Sequence, residues 1–83
     1  MTTDALTMYT TSWCGYCARL KRLMDREGIG YREVNIELDE AAAKFVEGVN
    51  GGNQTVPTLA FPDGTALTNP SIQQVKAQLA SAN

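Results

Sequence analysis

Tyr9-Thr10-Thr11-Ser12-Trp13-Cys14-Gly15-Tyr16-Cys17 contains both cysteines of an 83-residue chain, where a β-like alternation gives way to a helical period. Upstream, Ala5 to Tyr9 alternate, with Leu6 and Tyr9 flanking Thr7 and Met8, which predicts a short buried strand. Downstream, Cys17, Leu20, Leu23 and Met24 recur at the spacing of one helix face, and Gly28, with Gly30 close behind, marks its end. The cysteines therefore open a helix directly after a strand.

Working outward, Tyr31 to Ile36 reads as a second strand whose buried and half-buried side chains are Tyr31, Val34 and Ile36. Asp39 is the expected N-cap of a second helix through Val49, with Ala42, Phe45, Val46 and Val49 as its apolar stripe and Gly51 just past its end. A polar loop, Gly51-Gly52-Asn53-Gln54-Thr55, then leads through Val56-Pro57 into a strand over Thr58 to Phe61. Pro62-Asp63-Gly64 is a turn signal before a further strand at about Thr65 to Leu67, so these two form a hairpin. Asn69-Pro70 reads as N-cap and N1 of a last helix carrying Ile72, Val75 and Leu79, with Ser81-Ala82-Asn83 fraying. The order is β-α-β-α-β-β-α. Strands joined through a helix run parallel and a hairpin is antiparallel, so the class is α/β: a four-stranded mixed sheet flanked by helices on both faces.

Length and composition bound the rest. With 43% hydrophobic residues the chain fills one core, and residues 1–83 read as a single domain. Met1-Thr2-Thr3-Asp4 has neither a basic nor an apolar leader, and no apolar run approaches the roughly 18 residues of a membrane span. A soluble cytoplasmic protein with no membrane partner is expected. A net charge of −2 with seven Lys and Arg lacks the basic footprint of a nucleic-acid binder. Arg19, Arg22 and Arg26 share one helix stripe and read as a solvated face.

The cysteine pair carries the chemistry. An ordinary thiol is only about 3% thiolate at pH 7, and the unpaired N–H groups and dipole of a helix N-terminus favour the anion. Cys14 sits at that start, and Cys17 follows one turn later on nearly the same face, within disulfide reach. Lys21 lies two turns further along, too far to dominate. A lowered pKa chiefly makes Cys14 a better leaving group, since intrinsic nucleophilicity falls about as fast as thiolate fraction rises. A structural staple is the weaker reading, because so short a loop gains about 2 kcal/mol against about 3 for a fifteen-residue loop. A structural zinc site wants four ligands, and the chain has two cysteines and no histidine, so no metal is expected.

Tyr9 through Cys17 together with Thr55-Val56-Pro57 resembles the glutaredoxins. The Gly-Tyr between the cysteines, Val49-Asn50-Gly51-Gly52-Asn53 and Leu67-Thr68-Asn69-Pro70-Ser71 extend the resemblance to the actinobacterial mycoredoxins over essentially the whole chain. The resemblance implies a thioredoxin fold with strand order 2-1-3-4 and a cis Pro57 facing the cysteines. It further implies that Thr55, Val56 and Pro57 receive the cysteine part of a small thiol, Val56 through its backbone. Trp13 and Tyr16 are expected as walls of that site.

Two departures bear on the substrate. Many glutaredoxins carry a lysine or arginine just before the first cysteine to meet a glutathione carboxylate, and Thr11 stands there. Where they offer backbone N–H groups before the last helix, this chain has Thr68-Asn69-Pro70, and proline has none. Mycothiol, an acetylated cysteine joined to a sugar and inositol, brings hydroxyls instead of charges, and Thr11, Gln54, Thr68 and Asn69 suit it. The implied activity is thiol–disulfide exchange on S-thiolated proteins by Cys14, with Cys17 resolving and mycothiol as co-substrate. A separate NADPH-dependent mycothiol disulfide reductase would recycle the product. No tightly bound cofactor is expected, and the protein reads as a monomer. Two other readings stay open: Gly15, where many relatives have proline, permits a dimer holding an iron–sulfur cluster, and a redoxin recharged by a flavoprotein reductase has the same fold.

Overall fold

A computed structural model describes residues 6–81. The readings placed on Met1 to Ala5 and on Ala82-Asn83 lie outside the described residues. Seven elements follow the expected order: β1 (Thr7–Thr10), α1 (Gly15–Arg26), β2 (Arg32–Asn35), α2 (Glu40–Val49), β3 (Thr58–Ala60), β4 (Ala66–Thr68) and α3 (Ile72–Ser81). The sheet order is β2-β1-β3-β4, with β1 parallel to β2 and antiparallel to β3, and β3 antiparallel to β4. This is the four-stranded mixed sheet of the sequence reading. Among the described residues no helix is long and apolar enough to cross a membrane.

Each face of the sheet has its own core. Leu6, Met8, Leu20, Met24, Leu59, Phe61 and Val75 pack between the sheet and the pair α1 and α3. Ile36, Ala42, Ala43 and Val46 form the second cluster, under α2, with Tyr9, Val34 and Val56 against it. Side chains alternate across a strand, so Leu6 and Met8 share one face while Tyr9 turns to the other, where its ring lies 5.1 Å from that of Phe45. Leu6 and Tyr9 thus belong to opposite faces. Each fully buried Leu, Val or Met contributes about 1.5–3 kcal/mol, which is why two modest clusters hold a chain this short.

The helix ends follow local chemistry. Asp39 caps α2, its side chain accepting from the Ala42 N–H at 3.0 Å. Gly28 and Gly51, at φ +71° and +68°, take the left-handed residue after α1 and α2 that a side chain disfavours. On α2 the core side is Ala42, Ala43 and Val46, while Phe45 and Val49 of the expected stripe are exposed. A sheet this narrow covers only the small-residue side of that helix. The cap of α3 also differs from expectation. Ser71 Oγ accepts from the Gln74 N–H at 3.1 Å and Gln74 Oε1 accepts from the Ser71 N–H at 2.8 Å, a reciprocal capping box. Asn69 is not the cap: its φ is +46° and its N–H donates to the Pro57 carbonyl at 2.7 Å.

Candidate active site

Cys14 is the N-cap of α1, with extended backbone (φ −87°, ψ 107°), and its Sγ accepts from the Cys17 N–H at 3.0 Å. The sulfur thus stands where a capping oxygen would, meeting one of the otherwise unpaired N–H groups of the first turn. Opposite it, the Val56 carbonyl lies 3.7 Å from Cys14 Sγ, and the Val56-Pro57 peptide is cis. Register explains this meeting. Antiparallel pairing of β1 with β3 ends at Tyr9 and Thr58, so the chain leaving β1 and the chain entering β3 lie side by side. Pro57 is buried and Val56 half-buried.

The two sulfurs sit in different surroundings. Cys14 is half-buried, whereas Cys17 is 1% exposed inside α1. Burial, helped by the hydrogen bond with Cys14, pushes the Cys17 thiol up to about 12, outweighing the Thr11 backbone and the Lys21 charge, which act downward. At neutral pH Cys17 is a thiol. Lys21 itself is paired with Glu33 at 3.0 Å, and that carboxylate also accepts from Thr10 Oγ1 at 2.9 Å.

Other residues named from the sequence fall unevenly around this centre. Asn69 reaches it through Pro57, and Tyr16 stands exposed on the first turn of α1. Thr11 is buried at 8% exposure, and its Oγ1 has no hydrogen-bond partner among the described residues. Thr68 Oγ1 donates to Asn50 Oδ1 at 2.5 Å and Gln54 Nε2 to Glu47 Oε2 at 2.7 Å, so both are committed within the protein. Thr55 accepts through its carbonyl from Thr58 Oγ1 at 2.8 Å. Trp13 is 72% exposed, and its indole N–H is drawn aside to Glu37 Oε2 at 2.9 Å.

Two residues were missed in the sequence. Glu37 accepts from the Ser12 N–H at 3.0 Å and from Ser12 Oγ at 2.8 Å as well as from Trp13, clamping the loop before Cys14. Parallel pairing of β1 and β2 through Thr10 and Asn35 brings those chain ends together, so the topology held the signal and the residue did not. Asn50, the C-cap of α2, donates through Nδ2 to the Val46 carbonyl at 2.9 Å and to Thr58 Oγ1 at 3.2 Å. With Thr68 it braces the Thr55-Val56-Pro57 turn from behind.

A dithiol with one accessible sulfur at a helix start, facing a cis-proline turn, is built for thiol exchange. The glutaredoxin family model matches residues 6–65. The chain belongs to the glutaredoxin family. A Mycobacterium tuberculosis protein assigned by name to the glutaredoxins is 62% identical over 79 residues, covering 95% of this chain and 94% of its own. Mycoredoxin 1 of Corynebacterium glutamicum is 40% identical over 74 residues, covering 89% of this chain and 91% of its own. The glutaredoxin of Methanosarcina mazei, 22% identical, superposes with a TM-score of 0.79 over 93% of this chain and 79% of its own, a likeness of fold. This glutaredoxin is a thiol-disulfide oxidoreductase related to the mycoredoxins, with the thioredoxin-like fold expected of it.

Proposed function

We propose that this glutaredoxin reduces mixed disulfides between proteins and mycothiol in the cytoplasm, with Cys14 as the nucleophile. The observation that carries the division of labour is the contrast between the half-buried Cys14 sulfur, which receives an N–H, and the buried Cys17 thiol. Cys14 thiolate attacks the mycothiol sulfur of the mixed disulfide, a new S–S bond forms, and the protein sulfur leaves as a thiolate that takes a proton. A second mycothiol, as its thiolate, attacks the mycothiol sulfur held on Cys14. It leaves as symmetrical disulfide and restores the Cys14 thiolate, and an NADPH-dependent reductase recycles the product. Cys17 supplies the reserve route: it loses its proton, displaces mycothiol from Cys14 and closes the Cys14–Cys17 disulfide. Its raised pKa keeps Cys17 a thiol at neutral pH, so that route waits on the loss of its proton.

The choice of mycothiol is supported by the kinship with Mycoredoxin 1 and by Thr11, which brings no cation beside Cys14 for a carboxylate. Val56 presents its backbone to the cysteine part of the thiol, and Pro57, Thr55 and Asn69 shape the turn around it. The test loads Cys14 with mycothiol or glutathione in a Cys17→Ser variant and follows clearance by each thiol. Clearance at least about ten-fold faster with mycothiol, with Cys14→Ser inactive, is the expected result. Equal clearance by both thiols, or loss of all turnover in Cys17→Ser, would sink it.

A further inference from the structure

The peptide between Thr55 and Val56 is held from one side only. Its carbonyl accepts from Thr58 Oγ1 at 2.8 Å, while its N–H, that of Val56, donates to no partner among the described residues. This peptide is trans, and a trans peptide is planar with its C=O and N–H pointing in opposite directions. Anchoring the Thr55 carbonyl on the fully buried Thr58 therefore turns the Val56 N–H the other way. Val56 is also the residue whose own carbonyl lies 3.7 Å from Cys14 Sγ. An unpaired donor thus stands on the residue that adjoins the reacting sulfur.

The direction of the Thr58 hydroxyl is itself set. Thr58 Oγ1 has one hydrogen, and the Thr55 carbonyl, which can only accept, takes it. Any other partner must donate to that oxygen, and Asn50 Nδ2 does so at 3.2 Å. Nδ2 also donates to the Val46 carbonyl at 2.9 Å, and Oδ1 receives the Thr68 hydroxyl at 2.5 Å. A flipped Asn50 amide would set its oxygen against two acceptors. The hydrogen bonds therefore run one way, from Thr68 to Asn50 to Thr58 to the Thr55 carbonyl, and each link fixes the next. Strand alternation makes this possible: Leu59 belongs to the core under α1 and α3, so Thr58 faces α2, where the C-cap Asn50 reaches it.

We infer that Asn50 and Thr58 are positioning residues for the exchange reaction, their relay aiming the Val56 N–H at the carbonyl of the cysteine that carries the small thiol's sulfur. The inference rests on the reading that Val56 meets the cysteine part of that thiol, and it adds the residues that hold the donor ready. Neither side chain hydrogen-bonds to Cys14, so both act only through the direction of one peptide. A donor fixed before the ligand arrives spares the ordering cost on binding.

The experiment compares kcat/KM for one peptide disulfide-bonded either to N-acetylcysteinamide, which has that carbonyl, or to 2-mercaptoethanol, which has none. Mycothiol is the reductant in every arm, and release of the peptide is followed. The wild type is expected to prefer the carbonyl-bearing disulfide. Thr58→Val keeps the shape, deletes the hydroxyl and should lower that preference about five-fold, the effect of one hydrogen bond. Asn50→Asp should lower it as much, because the new carboxylate draws the Thr58 hydroxyl to itself and releases the Thr55 carbonyl. Thr58→Ser keeps the hydroxyl and should keep the preference, which a merely structural role would not require. Circular dichroism checks the fold, and the half-buried Asn50 carries the test if Thr58→Val does not fold. A wild type that prefers the carbonyl while Thr58→Val and Asn50→Asp retain its full preference would overturn the relay and leave the substrate reading intact. A loss in Thr58→Ser as large as in Thr58→Val would overturn it too. Equal rates on the two disulfides in the wild type would overturn the reading of Val56 itself, and the relay with it.

Discussion

Glu37 stands just past the end of β2 and collects three hydrogen bonds from the two residues before Cys14. Those donors, the Ser12 backbone first and its hydroxyl next, hold the Glu37 carboxyl below its ordinary value of 4.5. A depressed carboxylate contributes its share above the ordinary value and loses it as pH falls through the lower folded value. Trp13 is the sole tryptophan, so its emission reports on the clamp. In Glu37→Gln the amide nitrogen cannot accept from the indole, and Trp13 emission at pH 7 should already resemble that of the wild type on its acid limb. Far-UV circular dichroism should stay constant. Identical emission profiles for the two proteins between pH 7 and the acid limb would show that Glu37 does not hold Trp13. Thr11, expected as a ligand contact, makes a contrast at the same scale: it follows Thr10 at the end of β1 and lies buried, its hydroxyl without a partner among the described residues.

At the scale of elements, two of the three helix starts were legible because their caps act through residues within one turn. Cys14 and Asp39 meet N–H groups three residues on. The third was misplaced. Asn69-Pro70 has the composition of a cap and N1, yet the pull of the Pro57 carbonyl on the Asn69 N–H holds that residue in the turn leaving β4. The competing Ser71-x-x-Gln74 pattern was equally present and takes over two residues later. Ser71→Ala should therefore cost about 1 kcal/mol in urea unfolding. An unchanged midpoint would show that α3 starts without that cap.

For the whole molecule, the sheet separates two cores that share no buried residue. Met24→Ala, in the core under α1 and α3, should cost about 2–5 kcal/mol, and Ile36→Val, under α2, about 0.5–1.5. The double variant should lose the sum to within about 0.5 kcal/mol, since distant sites without shared partners add. A coupling above that in a double-mutant cycle would mean that the sheet transmits packing strain between its faces. Sequence alone determined the order of elements, the mixed sheet and the cysteine pair at a helix start, because periodicity, caps and turn residues act over a few neighbours along the chain. It also carried the family, since Cys14, Cys17, Val56 and Pro57 keep their spacing whatever surrounds them. Tertiary structure decided which of the polar residues remain free for a ligand. Thr68 is claimed by Asn50, 18 residues away, and Trp13 by Glu37, 24 residues away, pairings that exist only once the strands are in register. The inequality of the two sulfurs was legible in direction, since a helix start exposes Cys14 and sets Cys17 one turn inside on the apolar stripe, but the packing of that helix on the sheet is what buries Cys17 and keeps its proton on.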